Sequence, residues 1–177
     1  MKISPGYNPE RPAESQNHSL VHPWSSNVHK RIIKTPKMYF LDTGLCAWLL
    51  KWKTSETLEA GPASGAFFET WVVSEIYKSF LNAGIEPALY YYRDKDNKEI
   101  DLLIHRNGKL YPIEIKKTAT PDRSMIKSFS VLEKSKKNQD ANSAQVSPEI
   151  GNGALICQIS QLLPINETNS YVPVGFV

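Results

Sequence analysis

The chain has 177 residues, a net charge of +3, and 41% hydrophobic, 10% aromatic and 22% charged residues. That is the size of one ordinary domain with at most a small extra subdomain, and a globular composition that excludes wholesale disorder, collagen and coiled coil. No run of about eighteen apolar residues is present, so no membrane span is expected, and the N-terminus lacks the apolar stretch of a secretory signal. Cys46 and Cys157 are far apart and unpatterned, which argues against a disulfide scaffold or zinc cluster and for a reducing cytoplasm.

Residues 1–60 form the expected N-terminal segment, and residues 61–177 the main domain. The first 29 residues hold Pro5, Pro9, Pro12 and Pro23 among many polar residues and read as an irregular arm. The positive excess sits largely in KRIIKTPK (Lys30, Arg31, Lys34, Lys37), a smaller basic footprint than that of a dedicated DNA binder. KMYFLD reads as a short buried strand. Asp42 or Thr43 then caps a short helix with Leu45, Trp48, Leu49 and Trp52 on one face. A polar linker broken by Gly61, Pro62 and Gly65 follows.

From Ala66 to about Asn82 the spacing predicts a helix, with Gly84 just past its end. Val72, Val73, Ile76 and Phe80 make its apolar stripe, and Glu69 falls in the middle of it. A carboxylate there is costly unless paired, so Glu69→Leu is expected to fold at least as well. Three strands follow: ALYYYR, EIDLLIH and KLYPIEIKK. Asn107-Gly108 between the last two is a strong hairpin signal. PDRSMIKSFSVLEKSKK reads as a helix, Asp140–Gly153 as a polar loop, ALICQIS as a last buried strand, and the remainder as short apolar pieces broken by Pro164 and Pro173. The fold class is α/β: a small mixed sheet flanked by helices, with an N-terminal arm and short helix.

If Asn107 and Gly108 are the loop, Asp101 faces Glu114 and Glu99 faces Lys116. Directly opposed side chains stand about 4.5–5.5 Å apart at Cβ. Ile100, Leu102, Ile104, Tyr111, Ile113 and Ile115 then form the core face, and the acids share the other. Opposed carboxylates repel and require a shared proton, a cation or a metal. Glu99–Lys116 as an exposed cross-strand ion pair, with Asp101 and Glu114 in solvent, is the plainer alternative. The set as a whole suits Mg²⁺ or Mn²⁺, which needs only one or two carboxylates beside water and phosphate. Pro112, lacking an N–H, requires an interrupted ladder on its far side. Trp48, Trp52 and Trp71 are expected in the core or at subunit contacts, and His18, His22, His29 and His105 as polar-loop or surface residues.

Asp101 and Glu114-Ile115-Lys116, after a helix bearing Glu69 and before a helix and strand, resemble the PD-(D/E)XK phosphodiesterase core. That restriction-endonuclease-like fold has the order αβββαβ, and the match covers residues 65–160. Over longer segments (KRIIKTPKMYFLDTGLCAWLL, GAFFETWVVSEIYKSF, YYYRDKDNKEIDLLI, KLYPIEIKKTAT and PINETNSYVPVGFV) the chain is similar to the C-terminal domain of unknown function of prokaryotic P-loop (AAA-type) ATPases. The resemblance implies that Asp101, Glu114 and Lys116 occupy the acidic and lysine positions of the nuclease motif, with Glu69 as the first-helix glutamate and Asp101, Glu114 and Glu69 as metal ligands. Arg93 and Asp94 fall in a recurring aromatic-Arg-Asp stretch. No G-x-x-x-x-G-K-[ST] occurs in the 177 residues, so no ATPase activity is expected of them. Two functions follow as expectations: a metal-dependent DNA phosphodiesterase, or a non-catalytic module that binds nucleic acid, an ATPase domain or a second copy of itself.

Overall fold

The computed structural model describes residues 17–25, 35–137 and 148–177. Most of the proposed arm, most of KRIIKTPK, His29 and the centre of the polar loop before residue 148 lie outside the described residues. The strands are β1 (His18–Pro23), β2 (Lys37–Phe40), β3 (Leu89–Arg93), β4 (Glu99–Arg106), β5 (Lys109–Ile115), β6 (Glu149–Ile150), β7 (Gly153–Cys157), β8 (Leu163–Pro164) and β9 (Asn169–Pro173). They form one mixed sheet in the order β2-β1-β3-β4-β5-β7-β9-β8, with β6 beside β5. The helices are α1 (Thr43–Leu49), α2 (Ser55–Ala60), α3 (Ser64–Asn82) and α4 (Ser130–Lys137), the last entered from a 3₁₀ segment at Arg123–Phe129.

The elements form for local reasons. Leu45 N–H donates to Asp42 Oδ1 at 3.0 Å, so Asp42 caps α1 as expected. Gly84 takes φ +68 just beyond α3, the left-handed stop that favours glycine. Asn107 and Gly108 sit at φ 51 and 74, the pair of positive values that a two-residue hairpin turn requires. The β4–β5 register runs from Arg106↔Lys109 to Leu102↔Ile113, the predicted pairing. On its other side β5 pairs with β6 at Lys109 and Leu110 and with β7 from Ile113 onward. Pro112 falls in the gap between them, where no N–H is needed.

Several expectations are corrected. The arm contributes β1, which pairs antiparallel with β2 and parallel with β3. The polar linker contains α2, capped when Thr57 N–H donates to Thr54 Oγ1. The segment after Pro121 begins as 3₁₀ rather than α. The C-terminal pieces supply β9, paired parallel with β7 along its length. α1 buries none of its residues, and Trp48, expected in the core or at a subunit contact, is 73% exposed and so not in the core of the single chain.

The largest correction concerns the hairpin faces. β3 pairs Tyr90 with Leu103 but Tyr92 with Ile100, so two β4 residues oppose Tyr91 alone. This bulge breaks the period-two alternation. Leu102 and Ile104 pack in the core under α3 with Val72, Val73 and Ile113, whereas Ile100 joins Leu103, Leu110, Phe129 and Leu155 in a second core. The sheet is therefore covered on both faces. Of the acids that sequence alternation assigned to a polar face, Asp101 and Glu114 are buried and Glu99 is half-buried.

Candidate functional site

Asp101 lies in the bulge and Glu114 near the end of β5, where the β4–β5 register gives way to β5–β7 pairing. Both are buried, Asp101 at 7% and Glu114 at 3% exposure. Ile115 N–H donates to Asp101 Oδ2 at 2.9 Å, so a side-chain oxygen takes a backbone hydrogen where the strands part. Lys116 Nζ is 2.9 Å from Asp101 Oδ2 and 2.9 Å from Glu114 Oε2. Ser128 Oγ, from the 3₁₀ segment, donates to Glu114 Oε1 at 2.5 Å. The predicted trio is thus brought together.

One ammonium between two enclosed carboxylates leaves the group short of positive charge. Burial, reinforced by the Asp101 charge, pushes the Glu114 carboxyl up to about 7 against the opposing pull of Ser128 and Lys116. Burial alone would lower the Lys116 pKa, but Asp101 and Glu114 together raise it, so the amine stays protonated.

Glu69 is not in contact with that trio. It accepts from Tyr39 Oη at 2.7 Å and lies 3.5 Å from Lys37 Nζ. Lys37 also pairs with Glu99, whose other oxygen binds Arg93. Glu99 is therefore not paired with Lys116 as alternation predicts: the β4–β5 ladder ends at Leu102↔Ile113, and the bulge toward β3 lies over the next residue, Asp101. Asp101 acts on both halves: its field, with those of Glu69 and Glu99, raises the Lys37 pKa against desolvation. Burial first, then Glu69, raises the Tyr39 pKa and holds the phenol neutral. Two bonded groups result, Ser128–Glu114–Lys116–Asp101 and Lys37–Glu99–Glu69–Tyr39, and the field of Asp101 reaches from the first to Lys37 and Tyr39 of the second, making one polar seam.

Sequence reasoning missed Lys37, Tyr39 and Ser128 as members. Lys37 and Tyr39 had a signal, because residues two apart on a strand share a face. Ser128 had none in sequence. Asp94 has a turn role: its Oδ1 accepts from Asp96 and Lys98 N–H groups. Among the described residues, no group of three or more His, Cys, Asp or Glu is assembled to hold a metal ion. A cation at this site would have two carboxylates, Asp101 and Glu114, in the place Lys116 Nζ now takes. No helix among the described residues is long and apolar enough to cross a membrane.

Two uncharacterized proteins, from Mycobacterium bovis and Mycobacterium tuberculosis, are each 32% identical to the chain over 152 residues, which is 85% of this chain and 30% of theirs. The chain thus spans about 30% of the length of these curated relatives. No solved structure matches it significantly. A domain of unknown function, DUF8612, matches residues 14–56. A second, DUF4143, matches residues 64–177, most of the chain and all of the acid–lysine trio, and the chain belongs to the DUF4143 family.

Proposed function

We propose that the domain is a metal-dependent phosphodiesterase acting on nucleic acid. The observation that carries this reading is the trio itself: two buried carboxylates bridged by one lysine amine at 2.9 Å to each, where two strands part. The donor set fits Mg²⁺ or Mn²⁺, hard ions that complete their shell with water and substrate phosphate. Asp101 and Glu114 would hold the ion, which when bound supplies an acidified water and neutralises phosphate charge. Ser128 fixes one oxygen of Glu114 and leaves the other toward the cation position. Ile115 N–H fixes Asp101 through Oδ2, the same oxygen that Lys116 Nζ now meets. The Lys116 side chain is 40% exposed, so its amine can turn outward from the carboxylates to a phosphate or a water without leaving its strand. Glu69, bound to Tyr39 and Lys37, supports the seam rather than supplying a ligand.

The test is cleavage of plasmid and single-stranded DNA with Mg²⁺ by wild type, Lys116→Ala and Glu114→Gln. Cleavage by wild type that both variants lose supports the reading. Equal cleavage by all three identifies a contaminant, and none by any favours a second reading. In that second reading the domain is an interaction module that kept the arrangement without the activity; its supporting observation is that Lys116 already serves as a counter-ion to both acids. The greater length of the curated relatives accommodates a further unit in those proteins, and from the resemblance we propose an ATPase unit as the partner.

A further inference from the structure

α3 carries a second stripe beside its core-facing one, and of its residues Phe68 also packs against the core. Ser64, Phe67, Phe68 and Trp71 stand at i, i+3, i+4 and i+7, the spacing of one helix face, and all four line a cleft of about 710 Å³. The remaining lining comes from α1, α2 and their connection, including Trp52 and Lys53, together with Lys117 and Gln158. Trp71, expected in the core or at a subunit contact, is 37% exposed. Such a volume lies within the range of ligand sites.

Charge and position choose the occupant. Lys53 is exposed. Lys117 Nζ donates to the Glu59 backbone oxygen at 2.9 Å, and it stands 3.8 Å from the 72%-exposed Glu59 carboxylate, a pair readily exchanged for phosphate. Lys117 directly follows Lys116, so cleft and trio are joined by one peptide unit, about 3.8 Å between Cα atoms. Aromatic rings beside lysines match a chain of alternating bases and phosphates. A duplex keeps its bases stacked inside and cannot offer them to such a cleft.

We propose that this cleft seats unpaired bases of a single-stranded nucleic acid whose backbone runs toward Lys116. The proposal rests on the phosphodiesterase reading for its direction but has its own test. A labelled twelve-nucleotide single strand is titrated with the 177-residue chain in EDTA, where no cleavage occurs, and bound fraction is read by anisotropy. Wild type is expected to bind the single strand more tightly than the same sequence as a duplex. Trp71→Ala is expected to weaken binding about tenfold or more, and Trp71→Phe, which keeps a ring, to restore most of it. Lys53→Gln, at an exposed position, is expected to lower the slope of log affinity against log salt by about 0.7. Circular-dichroism melting confirms the fold of each variant, and if Trp71→Ala does not fold, Lys53→Gln and Trp71→Phe decide.

Absence of single-strand binding, an unchanged affinity in folded Trp71→Ala, or an unchanged salt slope in Lys53→Gln overturns the proposal. The two readings fail separately. Binding that needs Trp71 without any Mg²⁺-dependent cleavage refutes the phosphodiesterase alone. Glu114-dependent cleavage with normal binding by Trp71→Ala refutes the cleft alone.

Discussion

Replacing Glu114 by Gln tests the electrostatics of the trio directly. The substitution removes the ionisable group but keeps one carbonyl oxygen as the Lys116 acceptor, while its amide N–H₂ meets the Ser128 hydroxyl, which can accept. In the folded chain burial and Asp101 lift the Glu114 carboxyl from 4.5 to about 7. Between those pH values the folded state holds a proton that the unfolded state has released, so stability falls as pH rises through the window. At about 1.4 kcal/mol per pH unit, the interval from 4.5 to about 7 amounts to ~3 kcal/mol. Glu114 is 3% exposed, so solvent screening removes little of this. For a chain of this size ~3 kcal/mol corresponds to a melting shift of about 6–12 °C. In EDTA, wild type and Glu114→Gln are expected to melt close together near pH 4. They should diverge as pH rises, with the Gln variant more stable by up to that amount at pH 8. The assay is thermal melting by circular dichroism across pH 4–8. Parallel pH profiles for the two proteins would refute the claim that this carboxylate is buried short of positive charge.

Glu69→Leu is now expected to destabilise, against the sequence-based expectation that it folds at least as well. It strips the buried Tyr39 hydroxyl of its acceptor, a loss of about 1–3 kcal/mol, and Glu69→Gln should recover part of it; urea denaturation of the three proteins checks this, and a Leu variant as stable as wild type would remove Glu69 from the seam's support. Gly108→Ala is expected to cost ~1 kcal/mol through its backbone alone, because φ is +74 and an added Cβ meets nothing within 4 Å. Gly108→Asn should lose less, as the two melting curves would show.

The hairpin and the trio were legible because their signals are local. Asn-Gly imposes positive φ at two successive residues, and that turn sets the pairing Leu102↔Ile113 without reference to the rest of the chain. Lys116 follows Glu114 by two residues, so its nearness to the acids also follows from strand geometry. The same locality explains the failures. α2 has little apolar periodicity and is held by its caps, and β9 is a strand because β7 lies beside it.

The sequence by itself determined where most strands and helices begin, the hairpin register, and the grouping of Asp101, Glu114 and Lys116. Only the tertiary structure decided that these acids are enclosed, that Glu99 and Glu69 pair with Lys37, and that Ser128 completes the group. The physical reason is the bulge opposite Tyr91 together with a second layer of helix across the sheet. A bulge depends on two strands being paired, and burial depends on what covers them, so neither can be read from the spacing of residues along one strand.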